Sequence, residues 1–131
     1  MIIKEKFDLS LNHIGIVIDK NSQNSFRENF LFDNIQGVHI LFKFSEHLDC
    51  FIEYITNEGR AKNYKLGFNH LCYNVKNFDQ LDEIHRFIIQ NNLGIRLTLP
   101  EKSISEHCNY VSFYQLKIFN IIEFNILKSS D

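Results

Sequence analysis

The chain contains no tryptophan, one proline and only three cysteines among its 131 residues. The cysteines are irregularly spaced and form no Cys-x-x-Cys pair, which argues against a cysteine zinc site and is typical of reduced thiols in a cytoplasm. No stretch approaches the roughly 18 consecutive apolar residues that span a bilayer, and the N-terminal residues lack a signal peptide's apolar segment. A net charge of -2 leaves no concentrated basic face for nucleic acid. These absences predict one cytoplasmic domain over 1–131, with neither nucleic-acid nor membrane partners.

What the sequence does contain is a pattern of strands and helices that occurs twice. A short helix is predicted at 25–32, and a longer one begins after Asn77 and is closed by Gly94. Alternating apolar residues predict seven strands, at 11–18, 38–44, 50–55, 68–75, 95–99, 110–115 and 119–127. The predicted fold class is therefore α+β, with one module at about 9–56 and a second at about 67–128.

The two modules share chemistry-bearing residues as well as element order. Each begins with Asn-His at the start of a strand, as Asn12-His13 and as Asn69-His70. Each closes with a glutamate between an isoleucine and an aromatic residue, as Ile52-Glu53-Tyr54 and as Ile122-Glu123-Phe124. Two matches in the same order around the same elements indicate an internal duplication.

The four repeated side chains predict a metal site. A glutamate within an apolar strand is costly unless its charge is compensated, and a cation shared with imidazoles compensates it. We therefore expect one divalent metal ion bound by His13, Glu53, His70 and Glu123. This donor set suits zinc, nickel, cobalt, manganese or ferrous iron and does not choose among them. Taken singly, each histidine reads as a hydrogen-bonded core residue and each glutamate as a surface or ion-paired residue; the repeat favours the site.

A strand-helix-strands unit used twice, with His opening and Glu closing each half, resembles the vicinal oxygen chelate superfamily over residues 11–127. The segments Gly67–Val75 and Gln36–Val38 look like those of methylmalonyl-CoA epimerase-like members, and the four ligands are similar to those of glyoxalase I. The resemblance implies two tandem βαβββ modules that form a cup-shaped, incompletely closed β-barrel around the metal. One departure is that Ile40 stands where the epimerases carry an additional carboxylate base.

The resemblance also implies a function. It points to a metal-dependent isomerase or epimerase acting on a carbonyl-containing small-molecule substrate, such as an acyl thioester or a keto-sugar-like compound, through a metal-stabilised enediolate. It assigns the role of catalytic base to Glu123 first and to Glu53 second. Two alternatives stay open: a glyoxalase I-like lyase on glutathione hemithioacetals, and a non-catalytic small-molecule-binding module. A homodimer is also expected, which leaves open whether one chain or two supplies the ligands.

Overall fold

The computed structural model describes residues 2–127, whose strands form a nine-stranded mixed sheet that does not close on itself. The strands are β1 (Ser10–Ile18), β2 (Leu31–Asp33), β3 (Val38–Ser45), β4 (Cys50–Thr56), β5 (Gly67–Val75), β6 (Gly94–Arg96), β7 (Glu101–Lys102), β8 (Tyr110–Leu116) and β9 (Ile121–Ile126). The α-helices are α1 (Ile2–Phe7) and α2 (Phe78–Gln90), and short 3₁₀ helices lie at Lys20–Ser25 and Gly59–Ala61. The predicted α+β class with an incompletely closed sheet is confirmed. None of the helices within 2–127 has the length and apolar character needed to cross a membrane.

The described chain divides into two compact units, which we name by their place in the sequence. The central unit comprises 13–70, and the terminal unit comprises 2–12 together with 71–127. The unit boundaries fall inside β1 and β5, not between the two predicted modules. The module limits of about 9–56 and 67–128 describe the sequence repeat and stay a prediction.

The strands of the central unit run in the order β2-β3-β4-β1. β1 pairs with β4 in parallel, which sets Gly15 beside Glu53, and β3 pairs with β4 antiparallel, which sets Phe42 opposite Glu53. Side chains directly opposite each other in a sheet share one face. Along β1, every second residue from His13 to Val17 is buried, as strand periodicity predicts. The pairing therefore brings the buried face of β1 and the Glu53 face of β4 together.

The terminal unit packs α2 on strands in the order β5-β9-β8-β6. Asn77 caps α2 by accepting a hydrogen bond from the Gln80 backbone N–H at 2.9 Å, as the sequence predicts. The apolar stripe Leu81, Ile84 and Ile88 is buried. Every residue of β9 is buried as well, so this strand runs through the core of the unit.

Several sequence predictions about helices were wrong in detail. The segment predicted as a helix at 25–32 is not helical: a 3₁₀ helix spans Lys20–Ser25 and buries no residue, and β2 begins at Leu31. The ring of Phe26 instead packs on that of Tyr54 in β4, with centroids 4.8 Å apart. The helix α1 was not predicted at all.

Gly94 does not cap α2, because it opens β6. Asn92 takes that role with a left-handed φ of 54°. The backbone N–H of Asn92 donates to Ile89 O at 3.1 Å, and that of Leu93 donates to Ile88 O at 2.9 Å. These two bonds are the Schellman pattern, which asparagine supports because it tolerates the left-handed region.

Candidate metal centre

Three of the four predicted ligands converge within the central unit. Nε2 of His13 lies 3.1 Å from Oε1 of Glu53 and 3.2 Å from Nε2 of His70. Nε2 of His70 lies 3.6 Å from the same carboxylate oxygen. Their donor atoms thus form a small triangle, and residues from β1, β4 and β5 each contribute one corner.

The size of this triangle fits a divalent metal ion. Ligand atoms at about 2.1 Å from a metal are about 3.0 Å apart at a right angle and about 3.4 Å apart at the tetrahedral angle. The three observed separations, 3.1, 3.2 and 3.6 Å, lie around these values. Two imidazole nitrogens and one carboxylate oxygen are also ligands that divalent transition metals accept. The His/Glu cluster of this chain therefore has both the spacing and the chemistry to bind such an ion.

The site is nearly closed to water, which strengthens every charge interaction within it. His13 is fully buried, His70 is 1% exposed, and the side chain of Glu53 is 12% exposed. The ring of Phe42 meets the ring of His13 edge-on, with centroids 5.0 Å apart. A carboxylate in such apolar surroundings needs a nearby positive charge, which a bound cation supplies.

Sequence reasoning missed three residues that shape this site. Phe42 shields His13, Asn69 Oδ1 lies 2.8 Å from His70 Nδ1, and Gly15 lies directly against the His70 ring. Two signals were available in the sequence. Asparagine precedes the histidine in both halves, and a glycine in mid-strand often marks a place where another group approaches the backbone closely.

The fourth predicted ligand, Glu123, lies in the terminal unit. It is 5% exposed, stands in the middle of β9 and pairs with Phe113 of β8. Because every residue of β9 is buried, the burial of Glu123 does not test the orientation that strand alternation predicts for it. Its role as a ligand beside the three residues of the central unit stays a prediction.

The face of β3 that carries Phe42 contains no carboxylate. Val38 and Ile40 are buried on it and pack with Ile55 and Ala61 in a small apolar cluster. Ile40 pairs with Ile55 and so stands two residues along β3 from Phe42, on the same side. Aliphatic side chains therefore occupy the part of β3, around Ile40, where the epimerases carry an additional carboxylate base according to the sequence resemblance.

Comparison with known proteins places the fold. No family model matches the chain, and no curated protein matches its sequence. A hypothetical protein from Bacillus halodurans is 20% identical and has a TM-score of 0.64, with 94% of this chain and 97% of that chain covered. Methylmalonyl-CoA epimerase from Mycobacterium tuberculosis is 14% identical with a TM-score of 0.61, covering 92% and 88%. A methylmalonyl-CoA epimerase solved in complex with methylmalonyl-CoA and an ammonium ion is 12% identical with a TM-score of 0.58, covering 94% and 99%. At these identities the likeness shows the fold alone, which this chain shares with the methylmalonyl-CoA epimerases; the resemblance in fold stated from the sequence is confirmed.

Proposed function

We propose that this protein is a divalent-metal-dependent isomerase or epimerase that moves a proton at a carbon next to a carbonyl group. The observation that carries the proposal is the buried triangle of donor atoms from His13, Glu53 and His70. The fold, shared with methylmalonyl-CoA epimerases over more than nine-tenths of the chain, supports the same reaction class.

A divalent ion in this site would polarise a carbonyl oxygen and stabilise the negative charge that develops as the neighbouring carbon loses its proton. His13, Glu53 and His70 would hold it. The sequence repeat makes Glu123 the fourth ligand, since it occupies in the second half the position that Glu53 occupies in the first. The rings of the two histidines and of Phe42 exclude water from the centre, which lowers the dielectric constant around the reacting group.

The proton acceptor in this proposal is a glutamate of the repeat, Glu123 first and Glu53 second. The face of β3 that carries Phe42 offers only the apolar side chains of Val38, Ile40, Phe42 and Phe44, so the base in this proposal comes from another strand. The sequence resemblance puts Glu123 first for the transfer, and Glu53, whose Oε1 lies 3.1 Å from His13 Nε2, second.

The substrate class follows from the same comparison. One of the similar structures is described with methylmalonyl-CoA bound. We propose an acyl thioester or another carbonyl metabolite with an acidic α-hydrogen, since both would present an oxygen to the metal and a proton to the glutamate.

The experiment is proton exchange in deuterated water. Metal-loaded protein is incubated with a panel of 2-substituted acyl thioesters and keto-sugars, and deuterium at the α-carbon is measured by mass spectrometry. We expect incorporation with wild type, loss in Glu123→Gln and a smaller loss in Glu53→Gln. The matched control is Glu46→Gln, an exposed residue in the β3–β4 turn. If wild-type protein with a stoichiometric metal content incorporates deuterium into none of the candidate substrates, the proposal is contradicted.

A binding module without catalysis is the second candidate, because the face of β3 that carries Phe42 is apolar and lacks a carboxylate. The two functions separate in the same experiment. A binding module retains a panel compound in equilibrium dialysis but never exchanges its α-proton.

The proposal includes a homodimer located in the cytoplasm. One chain has a mass of 15.6 kDa, so sedimentation equilibrium distinguishes a dimer from a monomer directly. A monomeric mass with full metal content would place all the ligands in one chain.

A further inference from the structure

Two residues that are not predicted metal ligands constrain the ring of His70 from two sides. On one side, Asn69 Oδ1 lies 2.8 Å from Nδ1 of the ring. On the other side, a Cβ atom at Gly15 would clash with Cε1 and Nδ1 of the ring and would lie 2.7 Å from Nε2. Cβ atoms essentially never approach other heavy atoms within 3.0 Å. The imidazole thus occupies the space that any other residue at position 15 would fill.

The contact with Asn69 decides which nitrogen of His70 carries the proton. An amide oxygen only accepts hydrogen bonds, so Nδ1 is the protonated nitrogen and Nε2 keeps its lone pair. That lone pair belongs to the atom that lies 3.2 Å from His13 Nε2 and 3.6 Å from Glu53 Oε1. A metal ion binds the unprotonated nitrogen, so the hydrogen bond prepares the ring for ligation.

The matching asparagine of the first half, Asn12, has partners in the terminal unit. The side-chain amide of Asn12 donates to Asn74 Oδ1 at 3.0 Å and to the backbone oxygen of His107 at 3.2 Å, all within the terminal unit. In the second half, the asparagine contacts its own neighbouring imidazole.

We propose that Asn69 and Gly15 are positioning residues of the metal centre: Asn69 fixes the Nδ1–H tautomer of His70, and Gly15 leaves the room in which the ring presents Nε2. The inference rests on the proposed metal-dependent function. It adds to that function the two residues that determine how one ligand is oriented.

The test for Asn69 compares Asn69→Ala with the conservative Asn69→Asp and with Asn63→Ala, a control at an exposed asparagine. Cobalt(II) is titrated into metal-stripped protein and followed by its visible absorption. We expect Asn69→Ala to weaken cobalt binding by about 10- to 100-fold, as losses of a histidine's outer hydrogen-bond partner do. Asn69→Asp, which still accepts from Nδ1, should restore most of the affinity, and Asn63→Ala should change nothing.

A second measurement works without any metal. Long-range ¹H–¹⁵N spectra of metal-free protein report the tautomer of His70 directly. We expect Nδ1–H in wild type and in Asn69→Asp, and a shift towards Nε2–H in Asn69→Ala. If wild type binds no cobalt, the proposed function fails while the tautomer comparison still decides the role of Asn69. If wild type binds cobalt and Asn69→Ala matches it in both affinity and tautomer, the role of Asn69 is overturned and the function stands.

The role of Gly15 is tested by a thermodynamic cycle. Gly15→Ala is made alone and together with His70→Ala, and the midpoint of thermal unfolding is measured for metal-free protein. If the glycine exists to admit the ring, alanine at position 15 destabilises the chain when His70 is present and far less when it is absent. Equal costs in both backgrounds overturn this part of the proposal. A single variant that fails to fold beside a double variant that folds supports it.

Discussion

Removal of one histidine from the donor triangle should abolish the stabilisation of the protein by metal. The change is His13→Ala, which deletes the nitrogen that lies 3.1 Å from Glu53 Oε1 and 3.2 Å from His70 Nε2. A metal present at 100 times its Kd stabilises the folded state by about 2.7 kcal/mol. An unfolding entropy of about 2.1 cal/mol/K per residue amounts to roughly 275 cal/mol/K for this chain. The wild-type midpoint should therefore rise by about 10 °C under that condition.

In His13→Ala, the loss of a direct ligand costs at least the roughly 100-fold seen for the strongest outer partners. At the same metal concentration the stabilisation then falls to about 0.4 kcal/mol, or a rise of about 1.5 °C. The assay is thermal unfolding of metal-stripped protein with and without zinc, compared within each variant so that the cavity left by the ring cancels. His47→Ala, an exposed histidine in the β3–β4 turn, is the control. A full shift in His13→Ala, or none in wild type, would refute the reasoning.

Three further predictions concern the terminal unit. Burial lowers the pKa of His85, with the charge of Arg96 acting in the same direction. The free energy of unfolding should therefore decline as the pH falls from about 6.5 through this lower pKa, because the unfolded chain binds the proton first. The variant His85→Gln should show a weaker pH dependence of this free energy, measured by urea denaturation at several pH values. Asn77→Ala should cost about 1 kcal/mol by removing the cap of α2, measured by chemical denaturation; no change would show that the cap is dispensable. Ile84→Ala should cost about 2–5 kcal/mol in the same experiment, because Ile84 is fully buried on the apolar stripe of α2, and a loss below 1 kcal/mol would contradict this packing.

The strands and the inward direction of Glu53 were predictable because strand periodicity is a local property. Glu53 is buried on the face that alternation predicts, whereas both faces of β9 are buried around Glu123. The cap at Asn77 was predictable for the same reason, since its chemistry is contained within four residues. Repetition of Asn-His and Ile-Glu-aromatic then selected the candidate ligands from six histidines and sixteen acidic residues.

Predictions failed where the outcome depends on packing. The segment at 25–32 follows a helix start signal, yet the ring of Phe26 packs on Tyr54 of β4 at 4.8 Å between centroids, and the helix does not form. Gly94 looked like a helix cap, yet an asparagine two residues earlier could take the left-handed conformation instead. The local sequence limits the conformations that a segment can adopt, and its tertiary contacts select among them.

The sequence by itself determined the fold class, the strand pattern and the four residues nominated as metal ligands. Only the tertiary structure could show that Nε2 of His13, Nε2 of His70 and Oε1 of Glu53 meet at ligand spacing, because strand register sets distances between residues 17 to 57 positions apart. It likewise assigned Gly15 and Asn69 to the His70 ring, since a close approach and a tautomer depend on what lies opposite in space.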